Sequence, residues 1–222
     1  MKFNPNTANL LVVDGTAPVE DLTIGLEWVE WLFQSVRQRS EGIVVDEAST
    51  KQELSLRWGL LAELRFPSGL GPLMLQGLRA AQVADLKALQ AIESAWAGAL
   101  TPAEAERSAE AGRWLLHCMR GARHAGVLTV LQEAVAQGRM VGHLGVVWPV
   151  IGAVFQLTPA SVLAEYLRLE FQCAARRLPD VGAQPPFGQL GRAVKRTMME
   201  WVGEWRDSVH AEKISKLPGA VL

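Results

Sequence analysis

The sequence predicts an all-α protein, a compact multi-helix bundle of about eight to nine helices. Apolar residues recur every three or four positions through most of the chain, which is the spacing of one helix face. Two Thr-Pro pairs, at Thr101 and Thr158, have the form of helix starts. No stretch alternates apolar and polar residues for long enough to indicate a strand.

The 222 residues predict one domain, because 49% of them are hydrophobic and two domains would each be small. Residues 1–22 lack a steady period, so we expect an irregular N-terminal lead-in. Residues 23–208 are expected to form a single all-helical domain. Residues 209–222 contain spaced lysines, a proline and a glycine, and we expect a flexible C-terminal tail there.

The first part of this domain is predicted to hold helices separated by short loops. One helix begins at Thr23, and a second begins at Ser49-Thr50, with Glu53 as a capping glutamate. We expect the second helix to end at Phe66, because the proline and glycine residues of 67–72 are typical of a turn. Further helices are predicted over residues 73–81, 85–96, 101–119 and 127–136.

The stretch from His143 to Gln189 organises the rest of the prediction. Residues 144–155 are almost continuously apolar, yet too few to cross a bilayer, which takes about 20 residues. We therefore expect a central helix that is packed on most sides. An amphipathic helix follows from Thr158 to Leu178, and a last helix carries Leu190, Val194, Met198, Trp201 and Trp205 on one face.

Composition excludes several classes of protein. The net charge of -1, from 22 basic and 23 acidic residues, gives no reason to expect binding to nucleic acid or to an anionic membrane. The start of the chain lacks the pattern of a signal peptide. Cys118 and Cys173 are too few for a disulfide framework. We therefore expect a cytoplasmic protein with two reduced thiols.

Motifs that carry catalytic chemistry are missing from the sequence. The four histidines, His117, His124, His143 and His210, lack the spacing of a zinc helix. There is no nucleophile elbow, and the glycine-rich residues 67–72 lack the lysine of a phosphate-binding loop. We expect no catalytic residue, no metal ligand and no cofactor, and hence a protein that is not an enzyme. Its eight tryptophans are expected to fill the core or anchor interfaces.

Three short groups of residues keep a characteristic order along the chain. They are Pro18-Val19 with Gly25-Leu26-Glu27-Trp28-Val29; Ser108–Leu116; and His143–Val147 with Tyr166-Leu167, Arg177-Leu178 and Pro186-Phe187-Gly188-Gln189. Over most of residues 10–200 this order resembles that of the urease accessory protein F family. The chain departs from the family at Glu20-Asp21, where the family has two glycines, in an insertion at 179–185, and in the tail, where the family's arginine and tyrosine residues are not recognisable. The resemblance is that of a diverged member.

This resemblance implies a non-enzymatic adaptor of urease maturation. Such a protein is all-α and forms a homodimer. It binds the accessory protein D/H and the GTPase accessory protein G. The complex docks on apo-urease and couples GTP hydrolysis to nickel insertion. Matching of motifs implies partner-binding roles for Glu27, Arg177 (or Arg176) and Gln189. Each has a structural alternative: a solvated Glu27, an Arg177 ion pair with Glu165 or Glu170, and a helix cap at Gln189.

Two other functions remain open at this stage. A helical interaction or regulatory module outside nickel metabolism fits the tryptophan-rich faces equally well. An enzyme or small-ligand binder would need polar groups that converge in a pocket between helices, near His143, Tyr166 and Glu170.

Overall fold

The computed structural model describes residues 31–32, 34–38, 43–119, 126–178, 180–181 and 185–215, with side chains up to residue 202 except that of Phe187. Residues 31–32 and 34–38 are helical. They are followed by α1 Lys51–Leu60, a π-helix Leu61–Leu70, α2 Gly71–Gln82, α3 Leu86–Gly98, α4 Pro102–Cys118, α5 Val127–Ala136, α6 Leu144–Val154, α7 Pro159–Ala174 and α8 Phe187–Ser215. The described residues contain no strand, so the all-α prediction is confirmed.

Side chains at the predicted positions begin four of these helices. Thr50 accepts a hydrogen bond from the Glu53 N–H at the start of α1, and Thr158 accepts one from the Ser161 N–H at the start of α7. Thr101 and Glu104 form a complete capping box at the start of α4. Asp85 accepts a hydrogen bond from the backbone in the same way at the start of α3. These four helix starts are confirmed. They could be predicted because each capping hydrogen bond joins residues only three positions apart in the sequence.

The predicted turn at residues 67–72 is wrong, because the chain stays helical from Lys51 to Gln82 through the π-helix. The Gly71 N–H donates to the Phe66 carbonyl, five residues earlier. Pro67 has no N–H for the Glu63 carbonyl, which would be its partner in an α-helix. Arg196 of α8 donates to that carbonyl instead, at 3.2 Å. The proline thus lies within a π-helical stretch, and a side chain of α8 donates to the carbonyl that Pro67 could not serve in an α-helix.

The central helix α6 is buried on all sides over most of its length, as predicted. It packs most extensively against α2 and α4. Glycines let the backbones approach closely: a Cβ on Gly112 of α4 would lie 2.0 Å from the Gly142 carbonyl oxygen, and one on Gly145 would lie 2.1 Å from the Trp96 ring. The small residues of α4 thus meet the entry to α6, where the sequence predicted close approach of a second helix.

Tryptophans are distributed between the core and its margin. Trp58, Trp96 and Trp148 are fully buried, Trp114 and Trp201 pack partly buried against the core, and Trp31 is half exposed. Helix α7 ends at Ala174, four residues before the predicted end, and α8 continues to Ser215, into the predicted tail. The lead-in at 1–22 and residues 216–222 lie outside the described residues. None of the described helices combines the length and the apolarity needed to cross a membrane.

Candidate functional site

The candidate site is built around residues 43–48, which precede α1 and which we call the connecting segment. Ile43, Val44, Val45 and Ala48 are buried. The Ala48 N–H donates to the carbonyl of Ala174, the last residue of α7, at 2.9 Å. The connecting segment is therefore packed against the end of α7, and its polar side chains lie beside the turn that follows that helix.

Arg177 lies in this turn and pairs with a residue that the sequence did not single out. Its Nε contacts Glu47 Oε2, and the Nη2 of Arg176 contacts Glu47 Oε1. The Glu47 side chain is only 7% exposed, whereas that of Arg177 is 66% exposed. The structural alternative in which Arg177 pairs with Glu165 or Glu170 is wrong. Glu165 pairs with Arg168, and Glu170 is buried elsewhere.

Two more arginines contact the same short segment. Arg107 of α4 donates to Asp46 Oδ1 at 2.6 Å and to the Ile43 carbonyl at 3.3 Å. Arg57 of α1 donates to the carbonyls of Asp46 and Glu47 at 3.2 and 3.0 Å. We call Arg57, Arg107, Arg176 and Arg177 the arginine cluster. Two helices and the turn after α7 thus direct four guanidinium groups at one segment, whose own side chains provide two carboxylates.

The charge balance of the arginine cluster favours an acidic partner. The carboxylates of Asp46 and Glu47 neutralise two of the four positive charges of the cluster, and Glu53 pairs with Arg57 at 2.6 Å. Arg177 is the most exposed member, and it uses its Nε for the buried Glu47. The two terminal nitrogens of a guanidinium carry four of its five N–H donors. A guanidinium held in this way is suited to bidentate binding of a carboxylate.

The other two predicted partner-binding residues are not brought to Arg177. Gln189 lies in the first turn of α8, where its backbone N–H donates to the Pro186 carbonyl at 2.9 Å. In the described part of the chain no hydrogen bond or ion pair joins Gln189 to Arg177. Glu27 lies outside the described residues. Of the three predicted partner-binding residues, Arg177 is therefore the one for which the structure describes an ion pair.

Beneath the connecting segment, Tyr166 and Glu170 form a buried pair within α7. The Tyr166 hydroxyl donates to Glu170 Oε1 at 2.5 Å, and the N–H groups of Val44 and Val45 donate to Glu170 Oε2 at 3.1 and 3.4 Å. Burial raises the pKa of the Glu170 carboxyl, although these hydrogen bonds oppose the shift. Burial also raises the pKa of Tyr166 well above its usual value. The pair fastens the connecting segment to α7.

His143 belongs to a different contact. Its backbone N–H donates to Glu93 Oε1 at 3.1 Å, and the N–H groups of Gly142 and Val141 donate to the same carboxylate at 2.7 and 2.8 Å. Burial lowers the pKa of the His143 imidazole. The hypothesis of a polar pocket is therefore met only in part: Tyr166 and Glu170 come together, whereas His143 is bound to Glu93 of α3. The rings of Phe66 and Trp96 pack against Tyr166.

A separate groove of about 560 Å³ lies between the π-helix and α8. Its lining residues are Ala62, Glu63, Arg192, Ala193, Lys195, Arg196, Met199 and Glu200. The sequence interpretation missed this groove and also missed Glu47. The repeat of Leu56, Leu60 and Leu64 at four-residue spacing indicated a second apolar stripe beside the one that contains Trp58, but these leucines are not among the residues that line the groove. Glu47 carried no such local signal.

Among the described residues, no group of three or more histidine, cysteine, aspartate or glutamate side chains is placed to hold a metal ion. The chain matches no protein-family model, no curated protein and no solved structure.

Proposed function

We propose that the protein is an adaptor of urease maturation, which acts with the D/H accessory protein and the GTPase G to support nickel insertion into apo-urease. The observation that carries the proposal is the order of the three motif groups along the chain, which resembles that of the accessory protein F family. The helical fold is consistent with that family. The proposed setting is the cytoplasm, where the nickel enzyme would be assembled.

The second and third motif groups are in contact in the folded protein. Gly112 belongs to the second group, and its Cα lies against the backbone at Gly142–Leu144, where the third group begins. A side chain at position 112 would collide with that backbone. The close contact between α4 and residues 142–144 therefore requires a glycine at position 112. This contact joins the second motif group to the start of the third in the folded protein.

Arg177 is the proposed partner-binding residue with the strongest structural support. Its exposed guanidinium, anchored on the buried Glu47, offers donors to a carboxylate on the partner. Such a contact acts by recognition and requires no catalytic step, which suits an adaptor. Glu27 and Gln189 retain their proposed roles on the resemblance alone.

The test is reconstitution with the D/H and G accessory proteins of the same organism, purified and analysed by size-exclusion chromatography. The wild-type protein is expected to co-elute with D/H and to recruit G. Arg177→Glu is expected to weaken this complex by about tenfold or more, because it places a carboxylate against an acidic partner. Arg139→Glu is the matched control, because Arg139 is exposed after α5 and its side chain donates to the nearby Gln137.

Recovery of neither partner by the wild-type protein would reject the urease proposal. Equal weakening by Arg139→Glu would show a general charge effect instead of a contact at Arg177. The alternative function is a helical interaction module outside nickel metabolism. The exposed leucines of α1 and the π-helix favour it, because they indicate a protein interface and carry no information about nickel.

A further inference from the structure

The start of α6 is held in place by side chains of two other helices. The N–H groups of residues 141–143 donate to the Glu93 carboxylate of α3 at 2.8, 2.7 and 3.1 Å. The next N–H, that of Leu144, donates to the Ser108 hydroxyl of α4 at 3.2 Å. The first N–H groups of a helix have no acceptor within it, so these acceptors come from tertiary contacts. We call residues 141–144 the entry segment.

The imidazole of His143 is enclosed within this arrangement. His143 is 5% exposed, and its Nδ1 atom is buried without a hydrogen-bond partner among the described residues. The charged groups that face the ring are Glu93 of α3 and Arg113 of α4, and the Ala105 carbonyl of α4 lies beside it. From α5 the apolar Val135 packs against the entry segment. A protonated Nδ1 would therefore be a buried donor that needs a new acceptor.

The surroundings of this ring oppose its protonation. Burial disfavours the charged imidazole, and it lowers the pKa of His143 despite the attraction by Glu93. Both oxygens of the Glu93 carboxylate already accept N–H groups of the entry segment. Arg113 repels a second positive charge, and so does the positive end of the α6 dipole. The folded arrangement therefore favours the neutral imidazole.

We propose that His143 is a pH-sensitive latch on α6: the entry segment stays bound to Glu93 and Ser108 while the imidazole is neutral, and protonation releases the segment. Release brings the charged ring into water, where its charge and its new donor are solvated. The exposed residues 137–139 connect α5 to the entry segment, so the opening is local. It separates residues 142–144 from Gly112, the contact that joins two of the motif groups.

The latch is expected to open in acid. Because the folded-state pKa of His143 is lowered, the stabilisation linked to its neutral ring is fully present above the usual pKa of a histidine and is lost as pH falls through the folded pKa. Between these two values each unit of pH changes the ratio of open to closed protein by up to about tenfold, because opening takes up one proton. The latch is independent of the proposed role in urease maturation, because it rests on buried contacts within one chain and is tested without any partner.

The first experiment measures hydrogen exchange of backbone amides by nuclear magnetic resonance in the full chain, between about pH 8 and about pH 5. Protection of the entry-segment amides is corrected for the intrinsic pH dependence of exchange. It is expected to fall by up to about tenfold per pH unit as the latch opens. Amides in the middle of α7 are expected to keep their protection, which distinguishes local opening from unfolding of the whole domain.

Two variants assign the pH dependence to one ring. His143→Gln removes the titrating group, so the protection of the entry segment is expected to become independent of pH over this range. His117→Gln is the matched control, because His117 is exposed on α4, and this variant is expected to keep the pH dependence of the wild type. The second experiment follows titration of the His143 ring itself by nuclear magnetic resonance in the wild-type protein, and it needs no variant to fold. The midpoint of this titration is expected to coincide with the loss of protection.

The proposal is overturned if His143→Gln keeps the pH dependence of the wild type, in which case protonation of Glu93 releases the entry segment. It is also overturned if the His143 ring titrates while the entry segment stays protected. Loss of protection in α7 together with the entry segment would likewise contradict it, because the whole domain would then respond to acid.

Discussion

The Tyr166 hydroxyl donates a hydrogen bond of 2.5 Å to Glu170, and both side chains are fully buried. The two residues lie one turn apart on α7, so the helix itself positions the donor over the acceptor. The other oxygen of Glu170 accepts hydrogen bonds from Val44 and Val45 of the connecting segment. One carboxylate thus joins α7 to a segment more than 120 residues earlier in the chain.

Replacement of Glu170 is expected to change stability in a pH-dependent way. Because the folded-state pKa is raised, the stabilisation linked to Glu170 is fully present below its unfolded pKa and is lost as pH rises through the folded pKa. Glu170→Gln cannot titrate, so the advantage of the wild type over this variant is expected to shrink as pH rises above the usual pKa of a glutamate and through the raised pKa of the folded state. Urea unfolding at several pH values, followed by tryptophan fluorescence, measures this difference in stability.

Two companion variants make this test specific. Glu170→Ala leaves the tyrosine hydroxyl and two backbone N–H groups without an acceptor, and is expected to destabilise the fold by about 3 kcal/mol. Tyr166→Phe removes a hydrogen bond that lowers the pKa of Glu170, so its pH dependence is expected to extend to higher pH. A difference between wild type and Glu170→Gln that stays constant with pH would contradict the raised pKa.

Ser108→Ala is expected to destabilise the fold by about 2–4 kcal/mol, because two buried donors lose one acceptor. The Ser108 hydroxyl oxygen accepts from Trp96 Nε1 at 3.1 Å and from the Leu144 N–H at 3.2 Å. Ser94→Ala is the control, since the Ser94 hydroxyl is exposed and donates to the Gln90 carbonyl of its own helix. Its effect is expected to stay within about 0.5 kcal/mol. Equal effects of the two substitutions in thermal unfolding would argue against the buried role of Ser108.

Gly112→Ala is expected to be among the most damaging single-methyl additions, at about 3 kcal/mol or more. The new Cβ would lie 2.0 Å from the Gly142 oxygen and 2.7 Å from the Leu144 nitrogen, and backbone atoms cannot rotate away as a side chain can. Gly98→Ala is the matched control in α3, where a Cβ meets no atom within 4 Å. It is expected to leave stability unchanged or raise it by about 0.5 kcal/mol. Chemical denaturation of both variants decides the matter, and a stable Gly112→Ala protein would show that α4 and α6 can separate.

The two cysteines are expected to differ in reactivity. Burial raises the pKa of Cys173 to about 12, so its reactive thiolate is scarce at pH 8, whereas Cys118 is only partly buried. Titration of the native protein with a chromogenic disulfide should therefore modify one thiol per chain, and denaturant should release the second. In Cys118→Ser the native protein should show no rapid reaction. Rapid modification of both thiols in the native wild type would mean that α7 opens readily.

Much of the fold and little of the candidate site could be predicted from the sequence. The capping box at Thr101, the end of α5 near Gln137 and the buried central helix α6 were all expected, because each depends on spacing within a few residues. The site residue Arg177 was singled out by resemblance. Its partner Glu47 was not, because no local pattern links residues 130 positions apart.

The sequence alone determined the helical class, most helix starts and the residues of the central helix, since hydrogen bonds and periodicity within one helix are local. Only the tertiary structure decided that the chain stays helical through Pro67 and that Arg196 of a distant helix donates to the Glu63 carbonyl there. It also decided that Glu93 binds the backbone at Val141–His143. Buried polar groups must find partners wherever packing places them, and packing joins residues that sequence spacing does not relate.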